Sequence, residues 1–556
     1  MLKRLFLIAC PVLLSAQSND SITLFNPDFG TQYDFHILNW DDRVLMEEKM
    51  AEEDNFHSSV FPYRTSEVGE YRESRLNHLA DTTNTNWFHR KLFYQDFINV
   101  VGEDYGISVN PIVNFQFGQD NQSSWGTTYL NIRGAHAKGR IGKNVSFRTT
   151  LIEAQGRFPA YQRRLFTGQN NHYSDQRILG LAPGKDFGNF GHDFRMATGE
   201  VSYTPSKFFN FSAGHGNHFF GEGYRSMFLS DHTMPYGFFR IETTFWRIKY
   251  INLYSLYNNA DPAFRGPGGV NPIKYTSSHY LSWNVTNRWN VNLFETLLWS
   301  AEAGQSSGFD LNFLNPVIMY RPLEEMRGFS GGNILIGAGS SYRIYKGLKA
   351  YGQFAADEFS INAVRAFNEG NWLNMFAWQI GLKYPQAFGI TGLYILAEHN
   401  AARPFMYSHT GTPTSYTHHG LPLAHPWGAS FRETLLHVNY QRKGMVFNLL
   451  YSFGPRSVDL GEDVPNNGAD PLRNYNQRNG VDNGFFIGEN GGFTVHILQA
   501  RAGYIINAAT GMRLEAGITI RRETNVTLPS NAYTPLPANA FFVGLNIPFG
   551  NMYTDF

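Results

Sequence analysis

Cysteine is nearly absent from this chain: its 556 residues contain one, Cys10. An internal disulfide is therefore excluded, and with it the small stapled scaffolds of secreted proteins. Long hydrophobic runs are missing too. Beyond the first residues, no stretch approaches the roughly 18 to 20 apolar residues that a membrane-spanning helix needs, so a helical membrane protein is excluded. Neither sign of charge is in excess, since 46 basic and 46 acidic residues leave a formal net charge of zero. That balance removes the electrostatic basis for nucleic-acid binding.

Aromatic side chains are abundant instead, at 16 % of the chain with 30 Tyr and 47 Phe, a composition suited to the aromatic girdles of a membrane barrel. Mean hydropathy stays slightly negative, at −0.33. The two facts are reconciled by strand-period alternation. In Phe541 to Phe549 (FFVGLNIPF), Phe541, Val543, Leu545, Ile547 and Phe549 alternate with Phe542, Gly544, Asn546 and Pro548. Met512, Leu514, Ala516, Ile518 and Ile520 alternate in the same way with Arg513, Glu515, Gly517, Thr519 and Arg521. Two further stretches, from Val145 and from Met445, repeat the pattern. Charges at every second position are too many for a sandwich core and suit a wet lumen behind a lipid-facing surface.

From Ile107 onward about eighteen such segments follow one another, each near the length of a tilted membrane strand. Their connections alternate in length. Short ones include 204–207, 286–288, 345–347, 442–444 and 507–511; between them lie 155–195, 215–236, 258–274, 300–332, 358–374, 400–430, 454–494 and 523–538. Short turns on the periplasmic side and long loops outside produce this alternation in a barrel. The predicted fold is all-β: a transmembrane antiparallel β-barrel of about 18 strands, with both ends of the chain on the short-turn side.

Residues 1–16 read as a signal peptide, with Lys3 and Arg4 ahead of an apolar run from Leu5 to Leu14. Leu7 to Cys10 resembles a lipoprotein cleavage box, which leaves lipidation of Cys10 open. Residues 17–105 are expected to form a periplasmic segment, partly helical around Trp40 to Met50, with Asp41 and Asp42 where they favour the helix dipole. Residues 106–556 are the barrel.

Two stretches stand out chemically. Gly216 to Asp231 combines glycines with Arg225, Ser226 and Asp231; lacking a strand–helix–strand context, it reads as a loop folding back into the lumen, with glycines permitting close backbone approach. Tyr407 to Glu433 carries His409, His418, His419, His425, Tyr416 and Trp427. Its histidine spacing matches no metal-ligand pattern, whereas Trp427 and Tyr416 offer rings to a sugar. Glu324 and Glu325 are adjacent, a poor arrangement for glycoside chemistry, so no enzymatic activity, metal or cofactor is expected.

The glycine-arginine-serine segment (GEGYRSMFLSD), the Asn315-Pro316 pair and the run GLPLAHPWGASFRE together resemble the Wzi-type capsule-assembly barrels, and among these the RemB-like gliding-motility proteins. The residues matching the motifs are Gly221, Gly223, Arg225, Ser226, Asn315, Pro316, His425 and Pro426. A tryptophan pair expected in the capsule branch is replaced by Phe219 and Phe220. The resemblance implies an eighteen-stranded outer-membrane barrel acting as a surface lectin, with surface or capsular polysaccharide, outer-membrane lipid and gliding or secretion machinery as partners and a monomeric state. Arg225, Ser226, Asp231, His418, His419, His425 and Trp427 are the candidate ligand-binding residues. A porin-like diffusion channel is the alternative, which inward-folded loops bearing Tyr161, Arg163 and Arg164 would oppose.

Overall fold

A computed structural model describes residues 35–53, 64–65, 86–167, 176–178, 180–301, 311–316, 332–357, 364–365, 367–460, 464–489, 491–529 and 533–556. Residues 1–34, including Cys10, and the Glu324-Glu325 pair lie outside the described residues. Eighteen antiparallel strands form a closed barrel. They are β1 (Tyr105–Asp120), β2 (Thr127–Ile141), β3 (Val145–Arg157), β4 (Gly191–Ser206), β5 (Phe209–Gly216), β6 (Tyr236–Phe245), β7 (Ile248–Asn258), β8 (Ile273–Asn284) and β9 (Trp289–Ser300). The second half comprises β10 (Asn333–Tyr345), β11 (Leu348–Ala356), β12 (Phe376–Pro385), β13 (Leu393–Ala402), β14 (Phe431–Arg442), β15 (Met445–Ser457), β16 (Gly492–Asn507), β17 (Met512–Thr524) and β18 (Ala538–Asn546). Each strand pairs with its sequence neighbours, and β18 closes on β1 from Asn114↔Asn546 to Asp120↔Ala540. Closure leaves no unpaired edge, the condition for crossing lipid with strands.

The alternation read from the sequence is the alternation of faces. Leu514, Ile518, Phe541 and Val543 are exposed on the outer surface, whereas Arg513, Glu515 and Arg521 point inward and pair there. Connections alternate as expected, and the tight turns carry the conformations that hairpins need: Lys346 and Gly347, and Lys443 and Gly444, all have positive φ. Among the described residues no helix is long and apolar enough to span a membrane.

The final strand is shorter than its apolar pattern suggests. It ends at Asn546, and Ile547 is buried rather than lipid-facing. Pro548 has no N–H to continue a ladder, and residues 547–556 turn back into the lumen. There the Tyr161 hydroxyl donates to Thr554 O (2.6 Å), Gln499 Nε2 to Thr554 Oγ1 (2.9 Å) and Arg521 Nε to Phe556 O (3.0 Å). The inner face is therefore not simply wet. Its charges are paired with chain folded inside the barrel.

A helix, α1 (Trp40–Glu53), occupies the short-turn half of the lumen. Asn39 starts it, its side-chain Oδ1 accepting from Asp41 N (2.9 Å). Val44 packs on inward-facing Tyr351, Tyr394, Leu396 and Leu435, and Glu47 pairs with Lys383 at 2.6 Å. A second helix, α2 (Trp87–Phe93), sits at the short-turn rim, where Asn507 Nδ2 donates to Lys91 O and Leu92 O. At the opposite end α3 (Ala160–Thr167) buries Tyr161.

Candidate functional site

The loop between β5 and β6 folds into the middle of the lumen, as its glycines suggest. Its backbone polar groups cannot reach water there, and strand-borne side chains satisfy them. Gln353 on β11 accepts from Met227 N (2.9 Å), Gln379 on β12 donates to Arg225 O (2.9 Å), and Glu398 on β13 accepts from Tyr224 N (2.9 Å) and Arg225 N (3.2 Å). Gly223 makes this contact possible, because an added Cβ would overlap the Glu398 carboxylate. A Gly223→Ala change should accordingly cost about 1–3 kcal/mol by overpacking. The urea midpoint of the gel-mobility transition reads this directly, and an unshifted midpoint would show that the loop is not seated as described.

Charge is balanced within the same core. Arg225 donates through Nε and Nη2 to Glu433 (3.2 and 3.0 Å) and through Nη2 to Asp555 (2.7 Å). Glu433 also receives His425 Nε2 at 2.8 Å and the Ser452 hydroxyl at 2.7 Å. Glu222 joins Lys349 at 2.8 Å and also pairs with Lys383. Above the ions, Phe220 stacks on Tyr280 (5.0 Å between centroids) and Phe228 on Phe294 (5.0 Å), with Met227, Tyr407, Leu423 and Trp427 filling the remaining space. Packing of this kind leaves side chambers of about 220 and 420 Å³.

The candidate ligand residues from the sequence are thus brought close together, but inside the molecule. Arg225, Ser226, His418, His425 and Trp427 are each at most 1 % exposed, and Asp231 is buried. Ser226 Oγ donates to Phe220 O and accepts from Phe228 N. Asp231 accepts from Asn551 Nδ2 (2.8 Å) and from the Tyr553 hydroxyl. His418 Nδ1 accepts from Asn258 N (2.9 Å), and half-buried His419 contacts the Asn258 amide (2.9 Å). Gly221 lies against Gln353, and Pro426 follows His425 in the inward loop. Asn315 and Pro316 lie apart from this core, on the outer face of β7–β9, where the Tyr254 hydroxyl donates to Leu314 O (3.0 Å). No side chain of the central group faces outside solvent as a ligand contact would require. Among the described residues no three His, Cys, Asp or Glu side chains converge as metal ligands.

Burial lowers the proton affinity of the loop-end histidines, to about 3 for His232, about 4 for His409 and His425, and well below the usual range for His418. An opened loop would return them to the ordinary value of 6.5. Each is then neutral in the closed state and takes up a proton on opening, so acid favours opening. Closure should be fully stable above pH 6.5 and weaken as pH falls toward 4. Hydrogen exchange of amides 403–430, corrected for its intrinsic pH dependence, should accelerate across that window; a flat profile contradicts this packing.

The long-loop rim carries what the core does not, exposed aromatic surface beside arginine. A short strand, 182–187, folds back in a hairpin on the start of β4, where Gly184 to Phe187 pair with Gly191 to Phe194. Phe190 at its tip stacks on Trp125 of the β1–β2 turn (4.7 Å, 22°), and the Arg163 guanidinium of α3 lies over both rings. On another part of the rim Arg478 covers the face of Trp372 at 3.8 Å, beside Tyr475 and the exposed Asp482 and Asn483. Among these rim groups the sequence singles out only Arg163, as a residue of an inward-folding loop. Aromatics are common in all the long loops, and stacking partners come from separate loops.

A closed eighteen-strand barrel with strand-borne membrane faces is the architecture of outer-membrane proteins, and comparison with solved structures agrees. No protein-family model matches the chain, and no curated protein matches it. The structure is similar to Wzi of Escherichia coli, described as an outer-membrane protein involved in group 1 capsule assembly and a carbohydrate-binding β-barrel. The two share 11 % identity over 93 % of this chain and 100 % of Wzi, with a TM-score of 0.51. Pseudomonas aeruginosa OprD aligns at 9 % identity over 80 % of this chain and 95 % of its own, with a TM-score of 0.40. Acinetobacter baumannii OccAB2 aligns at 10 % identity over 79 % and 97 %, with a TM-score of 0.41. At these identities the likeness to Wzi concerns the fold.

Proposed function

We propose that this protein is a non-enzymatic, non-conducting barrel of the cell outer membrane whose long-loop face lies outside and holds surface polysaccharide. The observation that carries the reading is the division of the molecule into a self-filled interior and an aromatic, arginine-bearing rim. A diffusion channel needs an open constriction, whereas here Phe220, Met227 and Phe228 are fully buried across the middle of the barrel. Rings presenting apolar faces beside charged donors suit sugars, which are apolar on their ring faces and polar at their edges. In this reading Arg225, Ser226, Asp231, His418, His419, His425 and Trp427 are the frame that fixes the rim loops. The carbohydrate binding described for Wzi points the same way, and the motif resemblance joins it to capsule assembly or gliding motility. Purified protein in lipid nanodiscs should retain polysaccharide from the surface of the producing cells, and protein that retains none would overturn the reading.

A further inference from the structure

The hairpin tip above β4 is built at a conformational cost. Phe190 sits at φ 62°, in the left-handed region that bulky residues avoid, and its ring is 44 % exposed. Neighbouring Phe187 is 40 % exposed, and an added Cβ on Gly188 between them would meet nothing within 4 Å. A glycine at 190 would remove the strain, and a polar residue would remove the exposed apolar surface. The chain has neither. The strained conformation lays the Phe190 ring against Trp125, whose indole is fixed by donation from Nε1 to Phe158 O (3.1 Å). Arg163 lies over both rings, and Arg157 lies over the Tyr129 ring at 5.6 Å. The result is an aromatic ledge with the Arg163 cation beside it, at the long-loop mouth of the barrel.

We infer that this ledge is the polysaccharide-contact site, and that it takes pyranose units bearing a carboxylate. The Phe190–Trp125 pair stacks on the apolar face of the ring, while Arg163 receives the carboxylate in charge-assisted hydrogen bonds. The inference rests on the polysaccharide reading and adds to it a place and a charge class. The turn conformation holds an exposed ring in position before ligand arrives, lowering the ordering cost of binding.

Alginate oligosaccharides, composed of uronic acid units, and neutral dextran are the probes, titrated calorimetrically into the full chain in nanodiscs. Alginate should bind and dextran should bind at least about tenfold more weakly. Phe190→Gly is the decisive variant, since glycine suits φ 62°. It should keep or raise the resistance of the hairpin to proteolysis while alginate affinity falls about tenfold or more. Trp125→Ala and Arg163→Gln should lower affinity comparably, with heat-modifiable gel mobility unchanged. Unaltered alginate affinity in Phe190→Gly and Arg163→Gln, or dextran bound as tightly as alginate, overturns the assignment. Capture of native surface polysaccharide by the wild type distinguishes that outcome from failure of the functional reading: retained capture with unaffected variants condemns only the ledge.

Discussion

Replacing Arg225 with alanine should destabilise the loop end of this barrel more than any other single change considered. The side chain is 1 % exposed, and its partners Glu433 and Asp555 are buried with it. Removing the cation leaves two carboxylates in a water-poor interior, and breaking a buried pair in this way costs about 3–5 kcal/mol. Arg225→Lys should recover only part of the loss, because an ammonium cannot make the bidentate contact with Glu433. Urea titration followed by gel mobility measures the barrel, and hydrogen exchange over 217–235 measures the loop. Both should report loosening in Arg225→Ala. Wild-type exchange in that segment would show that the ion network does not hold it.

Removing residues 551–556 should open the barrel to ions. This tail ties together several inward elements: Asn551 accepts from Trp40 N at the start of α1 (2.9 Å) and donates to Asp231, Asp555 receives Arg225, and Thr554 receives Tyr161 and Gln499. It also forms the inner wall of the 220 Å³ chamber, whose lining extends from Asp41 and Arg513 to Arg157 and Gln162. Without the tail that chamber widens into a passage along β1 and β15–β18. Stable single-channel steps should appear, and heat-modifiability should persist because β18 ends before the deletion. A full-length variant combining Asn551→Ala, Tyr553→Phe and Asp555→Asn should conduct intermittently. If both variants stay silent, the loops alone close the lumen.

Much of the architecture is legible in the sequence because a membrane strand declares itself on both faces. Arg513 and Glu515 had to face away from lipid, and Leu514 had to face it. The alternation of loop lengths then follows from topology. The inward course of 217–235 was visible in Gly221 and Gly223, since glycine is what a backbone needs to approach Gln353 and Glu398. The tail was hidden by its own composition: Ile547 and Phe549 continue the apolar parity of the strand, and only Pro548 signals the break. The chemistry of Arg225 and His425 was conspicuous, but their burial was not, because Arg225, Glu433 and Asp555 meet from distant parts of the chain, although Glu433 is only eight residues from His425. The ledge was invisible for the same reason. Trp125 and Phe190 belong to different loops, and nothing local to either shows the stacking.

Single-channel recording of the wild-type protein in planar bilayers tests the central claim, a barrel filled by its own chain, most directly. The account predicts a silent membrane, with no steady steps, after insertion has been verified by heat-modifiable gel mobility of the recovered protein. Large, stable and reproducible conductance steps from the intact chain would contradict it.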